Sequence, residues 1–162
     1  MRLKTTLSLG QASQIVDEAL RLGRENDMHT LTVVVLDAGG RIVAVKSEDG
    51  SGLLRFGIAM GKAWGALGMG ISSRLIRDRL QARPAFQNAL AAASDGRLIP
   101  VPDGVLVEDD EGGTIGAVGI SGDTSEKDEY CAIGGIHSAA LGSDPAAADD
   151  NWRSSKLSDS EK

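Results

Sequence analysis

The stretch TLTVVVLDAGGRIVAVKS, residues 30–47, limits the possible folds of this chain more than any other. Two runs rich in β-branched residues flank Asp37-Ala38-Gly39-Gly40, and glycine supplies the positive φ that a tight turn between strands needs. The first run is apolar at nearly every position, which is typical of a strand covered on both faces. The stretch therefore predicts a β-hairpin with its first strand inside a sheet.

The rest of the sequence predicts a second hairpin, and helices before, between and after the two hairpins. VLVEDDEGGTIGAVGIS, residues 105–121, predicts two strands that turn at 111–113. A first helix is predicted to begin at a capping box of Ser8 with Gln11, and a second helix spans 54–69. Two short helices broken near Pro84 follow, and the last helix spans 125–141. Because hairpins pair strands antiparallel, this order predicts an α/β sandwich around an antiparallel sheet instead of a parallel Rossmann sheet.

Length, charge and cysteine content narrow the classes of protein. The chain has 162 residues, 41% of them hydrophobic, which predicts one domain over 1–142 followed by a flexible polar tail over 143–162. A net charge of -6 argues against nucleic acid or an anionic membrane as a partner. A membrane span needs roughly 18 apolar residues in a row, and the sequence has no such run. The single cysteine predicts a reducing cytoplasmic location.

The segment GAVGISGDTSEKDEYC, residues 116–131, reads as a strand that turns through glycine into an acidic helix. Its glycine spacing resembles a dinucleotide loop, but Glu126 and Asp128 in the first helical turn would repel a phosphate. A capping box of Ser125 with Asp128 accounts for acids at this place. The backbone N–H groups at Ser121-Gly122 are predicted to suit a carboxylate ligand.

Three further positions are candidates for metal or ligand contacts. Glu126 and Glu129 share one helix face, so they are either a solvated acidic pair or a site for iron. His137 is predicted to face the sheet, either as a core histidine or as an axial metal ligand. His29 precedes the first strand and is predicted to be an exposed side chain or a ligand.

Lys62 lies in AMGKAWGAL, a helix that is otherwise small and apolar. Its ammonium either reaches solvent or is buried, and burial would lower its pKa as in catalytic lysines. Gly57, Gly61 and Gly65 form a stripe on this helix that predicts close packing, either on its own sheet or on another subunit. The chain has no H-E-x-x-H and no G-x-S-x-G motif, so common zinc-protease and α/β-hydrolase chemistry lacks its parts.

Four segments together resemble the GlcG/HbpS family: VVVLDAGGRIVAVKSEDG, GKAWGAL, GRLIPVPDGV and GAVGISGDTSEKDEYCAIGG. The resemblance covers roughly Leu7 to Leu141. It implies a profilin-like three-layer sandwich with a central antiparallel sheet flanked by helices, and a homo-oligomer. It also implies haem binding and, in some members, haem degradation or iron binding. The same domain occurs attached to cobalamin adenosyltransferases. The chain has Pro102-Asp103-Gly104 where the family usually has Pro-Gly-Gly.

Two functional hypotheses follow, one of a binding protein and one of an enzyme. The first is an oligomeric haem- or iron-binding protein, with His29 or His137 as axial ligand and the Ser121-Gly122 corner near a propionate. The second is a cofactor-independent enzyme acting on a small carbonyl, hydroxy-acid or aromatic metabolite. In that enzyme Lys62 with Asp128 or Glu129 would act as general acid and base.

Overall fold

The computed structural model describes residues 4–99, 101 and 104–157, and places five helices and five strands within them. Pro102 and Asp103, where the sequence departs from the family's usual Pro-Gly-Gly, lie outside these residues. In chain order the elements are α1 (Leu9–Glu25), β1 (Thr32–Asp37), β2 (Ile42–Ser47), α2 (Arg55–Met69), α3 (Ser73–Leu80), α4 (Pro84–Ala93), β3 (Gly104–Glu108), β4 (Thr114–Ser121), α5 (Ser125–Ser138) and β5 (Gly142–Asp144). A single 3₁₀ turn spans Trp152–Ser154.

The strands form one antiparallel sheet in the order β2-β1-β4-β3-β5. Alternate side chains of β1 enter two separate cores, because successive residues of a strand point to opposite faces. Val33 and Val35 meet α1 and α5, whereas Val34 and Leu36 meet α2. The predicted three-layer α/β sandwich, with its first apolar run inside the sheet, is confirmed.

Local signals at the helix ends account for most boundaries. Ser8 and Gln11 form both hydrogen bonds of the predicted capping box at α1. Pro84 occupies the first turn of α4 and separates it from α3, since proline fits a helix start but not an interior. The predicted box at α5 is wrong, because Thr124 is the N-cap residue and its Oγ1 accepts from the N–H of Lys127. Asp128 is engaged elsewhere.

Helix α2 lies unusually close to the sheet because two strand residues are glycines. A Cβ on Gly119 would lie 2.0 Å from the carbonyl oxygen of Ala59, and one on Gly104 would lie 2.2 Å from that of Lys62. The predicted helix stripe contributes differently: a Cβ on Gly61 would meet the carbonyl oxygen of Arg97 at 2.6 Å, in the connector after α4. Glycines of the strands, not of the helix, therefore bring α2 onto the sheet.

The described part of the predicted tail, residues 143–157, packs against the domain instead of extending from it. Ser143 and Asp144 belong to β5, which pairs with β3 at the sheet edge. The ring of Trp152 stacks on Tyr130 of α5, with 3.7 Å between centroids. One aromatic residue and two strand residues thus hold the described part of this segment against the domain. Among the residues described, no helix is both long and apolar enough to cross a bilayer.

We expect Gly119→Ala to destabilise the protein by about 1–3 kcal/mol, because its methyl group would force α2 away from the sheet. Gly57→Ala is the matched control. No atom lies within 4 Å of a Cβ built there, so the change is expected to be neutral or to stabilise α2 by up to about 1 kcal/mol. Urea denaturation measures both, and equal stability of the two variants would contradict the packing argument.

Candidate functional site

The corner between β4 and α5 is closed by a carboxylate of the chain itself. The N–H of Gly122 donates to Asp128 Oδ2 at 3.1 Å, and the N–H of Asp123 donates to Oδ1 at 3.0 Å. A Cβ on Gly122 would lie 2.4 Å from the carbonyl oxygen of Thr30, so glycine allows the close approach of backbone, not of a ligand. Asp128 therefore accepts from the N–H groups of Gly122 and Asp123, and a ligand carboxylate at Ser121-Gly122 stays a prediction.

Lys62 is buried opposite the same carboxylate. The side chains of Lys62 and Asp128 are 4% and 1% exposed, and Nζ lies 3.8 Å from Oδ2. Nζ also donates to the carbonyl oxygen of Ile120 at 3.0 Å. Burial raises the pKa of Asp128, while the ammonium and the two N–H donors act to lower it. Lys62, Asp128 and the carbonyl group of Ile120 thus link α2, the end of β4 and α5. The two side chains would have to leave the core to contact a substrate.

The two glutamates of α5 each lie beside an arginine of α3. Glu129 is 1% exposed, and Nε of Arg74 donates to both of its oxygens at 3.1 Å. Burial raises the pKa of Glu129, and the guanidinium opposes this shift. Glu126 lies 4.0 Å from Arg77. The described part of the chain holds no cluster of three His, Cys, Asp or Glu residues suited to a metal, and iron at the two glutamates stays a prediction.

The two histidines line different cavities. His137 is exposed on α5 and does not face the sheet as predicted, because the adjacent Ile136 occupies the buried face and successive helix residues are turned by about 100°. Its Nε2 lies 3.0 Å from Ser143 Oγ. It lines a cavity of about 410 Å³, here called the α5 cavity, together with Tyr130, Ile133, Gly134 and residues 146–150 and 152.

His29 is exposed in the loop between α1 and β1, and its main chain is held on both sides. Its N–H donates to Asp123 Oδ2 at 2.9 Å, and its carbonyl accepts from Nη2 of Arg24 at 2.8 Å. Asp123 also accepts from the N–H of Thr124 at 2.8 Å and pairs with Lys127 at 3.0 Å. The position of His29 is therefore set by the corner that Asp128 closes.

His29 opens onto a groove of about 210 Å³, here called the His29 groove, lined by Thr30, Gly50, Gly52, Arg55, Gly122 and Leu157 as well. Nη1 of Arg55 donates to Ser121 Oγ at 3.3 Å, which holds the guanidinium at this place. Leu53 and Leu54, next to Arg55 in the chain, are 96% and 75% exposed. Sequence reasoning missed Arg55, and no local signal marks it because its partner lies 66 residues away.

These features define a profilin-like α/β protein in which the corner between β4 and α5 lies beside an open groove. The family model described as "Haem degrading protein HbpS-like" matches residues 7–137, and the chain therefore belongs to the HbpS-like family. This confirms the resemblance found in the sequence. No curated protein sequence matches the chain significantly.

Solved structures share the fold. The crystal structure of a PduOC:heme complex is 24% identical, with a TM-score of 0.75 and coverage of 84% of this chain and 96% of that one. Klebsiella pneumoniae protein ORFY is 24% identical, with a TM-score of 0.75 and coverage of 86% and 94%. HbpS is 21% identical, with a TM-score of 0.69 and coverage of 85% and 92%.

We expect Asp128→Asn to lower the free energy of unfolding by about 3 kcal/mol, because it removes a buried carboxylate that faces the ammonium of Lys62 and accepts two backbone N–H groups. Asp110→Asn, at an exposed acid of the second hairpin turn, is the control and should change stability by less than about 0.5 kcal/mol. In urea denaturation, adding Lys62→Met to Asp128→Asn should cost less than the sum of the single changes. Additive effects would show that the two groups do not interact.

The stabilisation that the ionised Asp123 contributes should be lost in acid. Burial alone would raise its pKa, but the N–H groups of His29 and Thr124 and the ammonium of Lys127 outweigh burial and lower it. The stabilisation is therefore complete above the unfolded pKa of about 3.9 and is lost as the pH falls through the lowered folded pKa. Denaturation across pH should show a constant gap between the wild type and Asp123→Asn near neutrality and a narrowing gap below about pH 3.9. A gap that persists to the acid limit would contradict this assignment.

Proposed function

We propose that the protein binds haem in the His29 groove, with His29 as the axial ligand and Arg55 paired with a propionate. The observation that carries the proposal is the exposed imidazole of His29 on a main chain fixed by Asp123 and Arg24, in the same groove as a guanidinium. Membership of the HbpS-like family supports haem as the ligand. The role that follows is haem handling, including degradation.

The residues of the groove fit the chemistry of haem. Imidazole nitrogen is a common axial ligand of haem iron. A guanidinium binds carboxylates with two parallel hydrogen bonds, which suits a propionate. A volume of about 210 Å³ is below the roughly 300–1,000 Å³ of enclosing ligand pockets, so the groove would take one edge of the macrocycle. The exposed Leu53 and Leu54 offer apolar surface for the rest.

Bound haem would supply the iron chemistry, and the chain supplies position and charge. Asp123 and Arg24 fix the main chain from which the imidazole projects. Ser121 accepts from Arg55 and holds the guanidinium at the groove, which gives that predicted cofactor residue an indirect role. Gly122 lines the groove, while its N–H is already bound by Asp128.

The electrostatic surroundings favour His29 over His137 as the axial ligand. Asp149 and Asp150 line the α5 cavity beside His137, and their charge would repel propionates. The alternative hypothesis of an acid-base enzyme draws less support from the geometry, because Lys62 and Asp128 bind each other in the core and Glu129 is paired with Arg74. A homo-oligomer and a cytoplasmic location remain predictions of the sequence.

A haemin titration followed by the Soret band tests the proposal. We expect saturable, red-shifted absorbance in the wild type, with affinity at least about tenfold weaker in His29→Ala because the iron loses its protein ligand. Arg55→Gln should weaken binding about two- to fivefold, as expected for an exposed ion pair. His137→Ala is the matched control and should bind haemin as the wild type does.

Circular dichroism of each variant separates loss of binding from loss of fold. Loss of the band in His137→Ala, with binding retained in His29→Ala, would move haem to the other cavity and contradict the assignment. A wild type that shows no saturable Soret change would reject haem binding itself.

A further inference from the structure

The α5 cavity lies between the outer face of α5 and the segment 146–152, beyond the residues 7–137 that the family model matches. Its volume of about 410 Å³ is within the range of pockets that enclose small ligands. We propose that this cavity binds a small organic cation, an ammonium group attached to an aromatic or aliphatic body. The proposal is independent of haem binding in the His29 groove.

The charges around the α5 cavity favour a cation. Asp149 and Asp150 both line it. The carboxylate of Asp149 is fixed, because its Oδ1 accepts from the N–H of Asn151 at 2.8 Å. The nearby Arg74 is paired with Glu129, donates to the carbonyl oxygen of Ala147 at 3.2 Å and also interacts with the charge of Asp149. The described residues that line the cavity thus include two aspartates and no lysine or arginine.

The hydrogen bonds of Ser143 determine which ring nitrogen of His137 donates to it. Ser143 Oγ donates its one hydrogen to the carbonyl oxygen of Pro145 at 2.8 Å. Ser143 must therefore accept from His137, whose Nε2 lies 3.0 Å away. In the neutral ring this leaves the lone pair on Nδ1, where it can accept a hydrogen bond from an ammonium.

The remaining lining is apolar and held in place. Ile133 of α5 and the alanines 146–148 offer contact to the body of a ligand. Trp152 closes one side, where it stacks on Tyr130 with planes 11° apart. The pairing of β5 with β3 anchors the start of the segment. The cavity therefore exists before a ligand arrives, which lowers the entropic cost of binding.

Three probes of one shape test the charge preference on the full chain: benzylammonium, benzyl alcohol and benzoate. Nuclear magnetic resonance should show saturable shifts of the Ile133 methyl groups and the Trp152 indole N–H with benzylammonium, with a dissociation constant of about 1 mM or below. Benzyl alcohol should bind more weakly and benzoate more weakly still, because the carboxylates attract only the cation.

Asp150→Asn should weaken benzylammonium binding about two- to fivefold and leave benzyl alcohol binding unchanged, since it removes charge but little volume. Asp110→Asn, far along the chain in the second hairpin turn, is the control of equal charge change and should bind as the wild type. The proposal would be overturned if benzoate bound as tightly as benzylammonium, or if Asp150→Asn bound benzylammonium as the wild type does. It would also be overturned if the shifts were confined to other residues or if no saturable shift occurred.

Discussion

The buried carboxylate of Asp128 is the contact on which the rest of this structure depends. It satisfies two N–H groups where β4 turns into α5, and it faces the ammonium of Lys62 on α2. Helices on opposite faces of the sheet are thereby joined through the end of a strand. Removal of one member of a buried charge pair is strongly destabilising. The two N–H groups of the turn are consequently bound by a carboxylate of the chain itself.

The hydrogen bonds at this corner position the His29 groove. Asp123 follows the closed turn directly and binds the main chain of His29, while Ser121 precedes it and holds Arg55. Asp123 and Asp128 thus bind the backbone of the corner, while the exposed His29 lies beside them on the groove. This division is common where binding residues are carried by loops on a rigid scaffold.

The C-terminal segment forms one side of the α5 cavity, apart from the His29 groove. It extends the sheet by β5 and covers the outer face of α5 through Trp152. The groove lies before the start of α5, and the α5 cavity lies along its second half. Their charges differ in sign, with Arg55 in one and two aspartates in the other.

The sequence by itself determined the hairpins, the capping box at Ser8, the helix break at Pro84 and the antiparallel sandwich, because these depend on residues that are neighbours in the chain. Tertiary structure decided the site. Glu129 meets Arg74 across 55 residues and Arg55 meets Ser121 across 66, and no local pattern encodes either pair. The burial of Lys62 and the outward turn of His137 were likewise decided by packing, since glycine and alanine on several sides of a helix leave its inner face ambiguous.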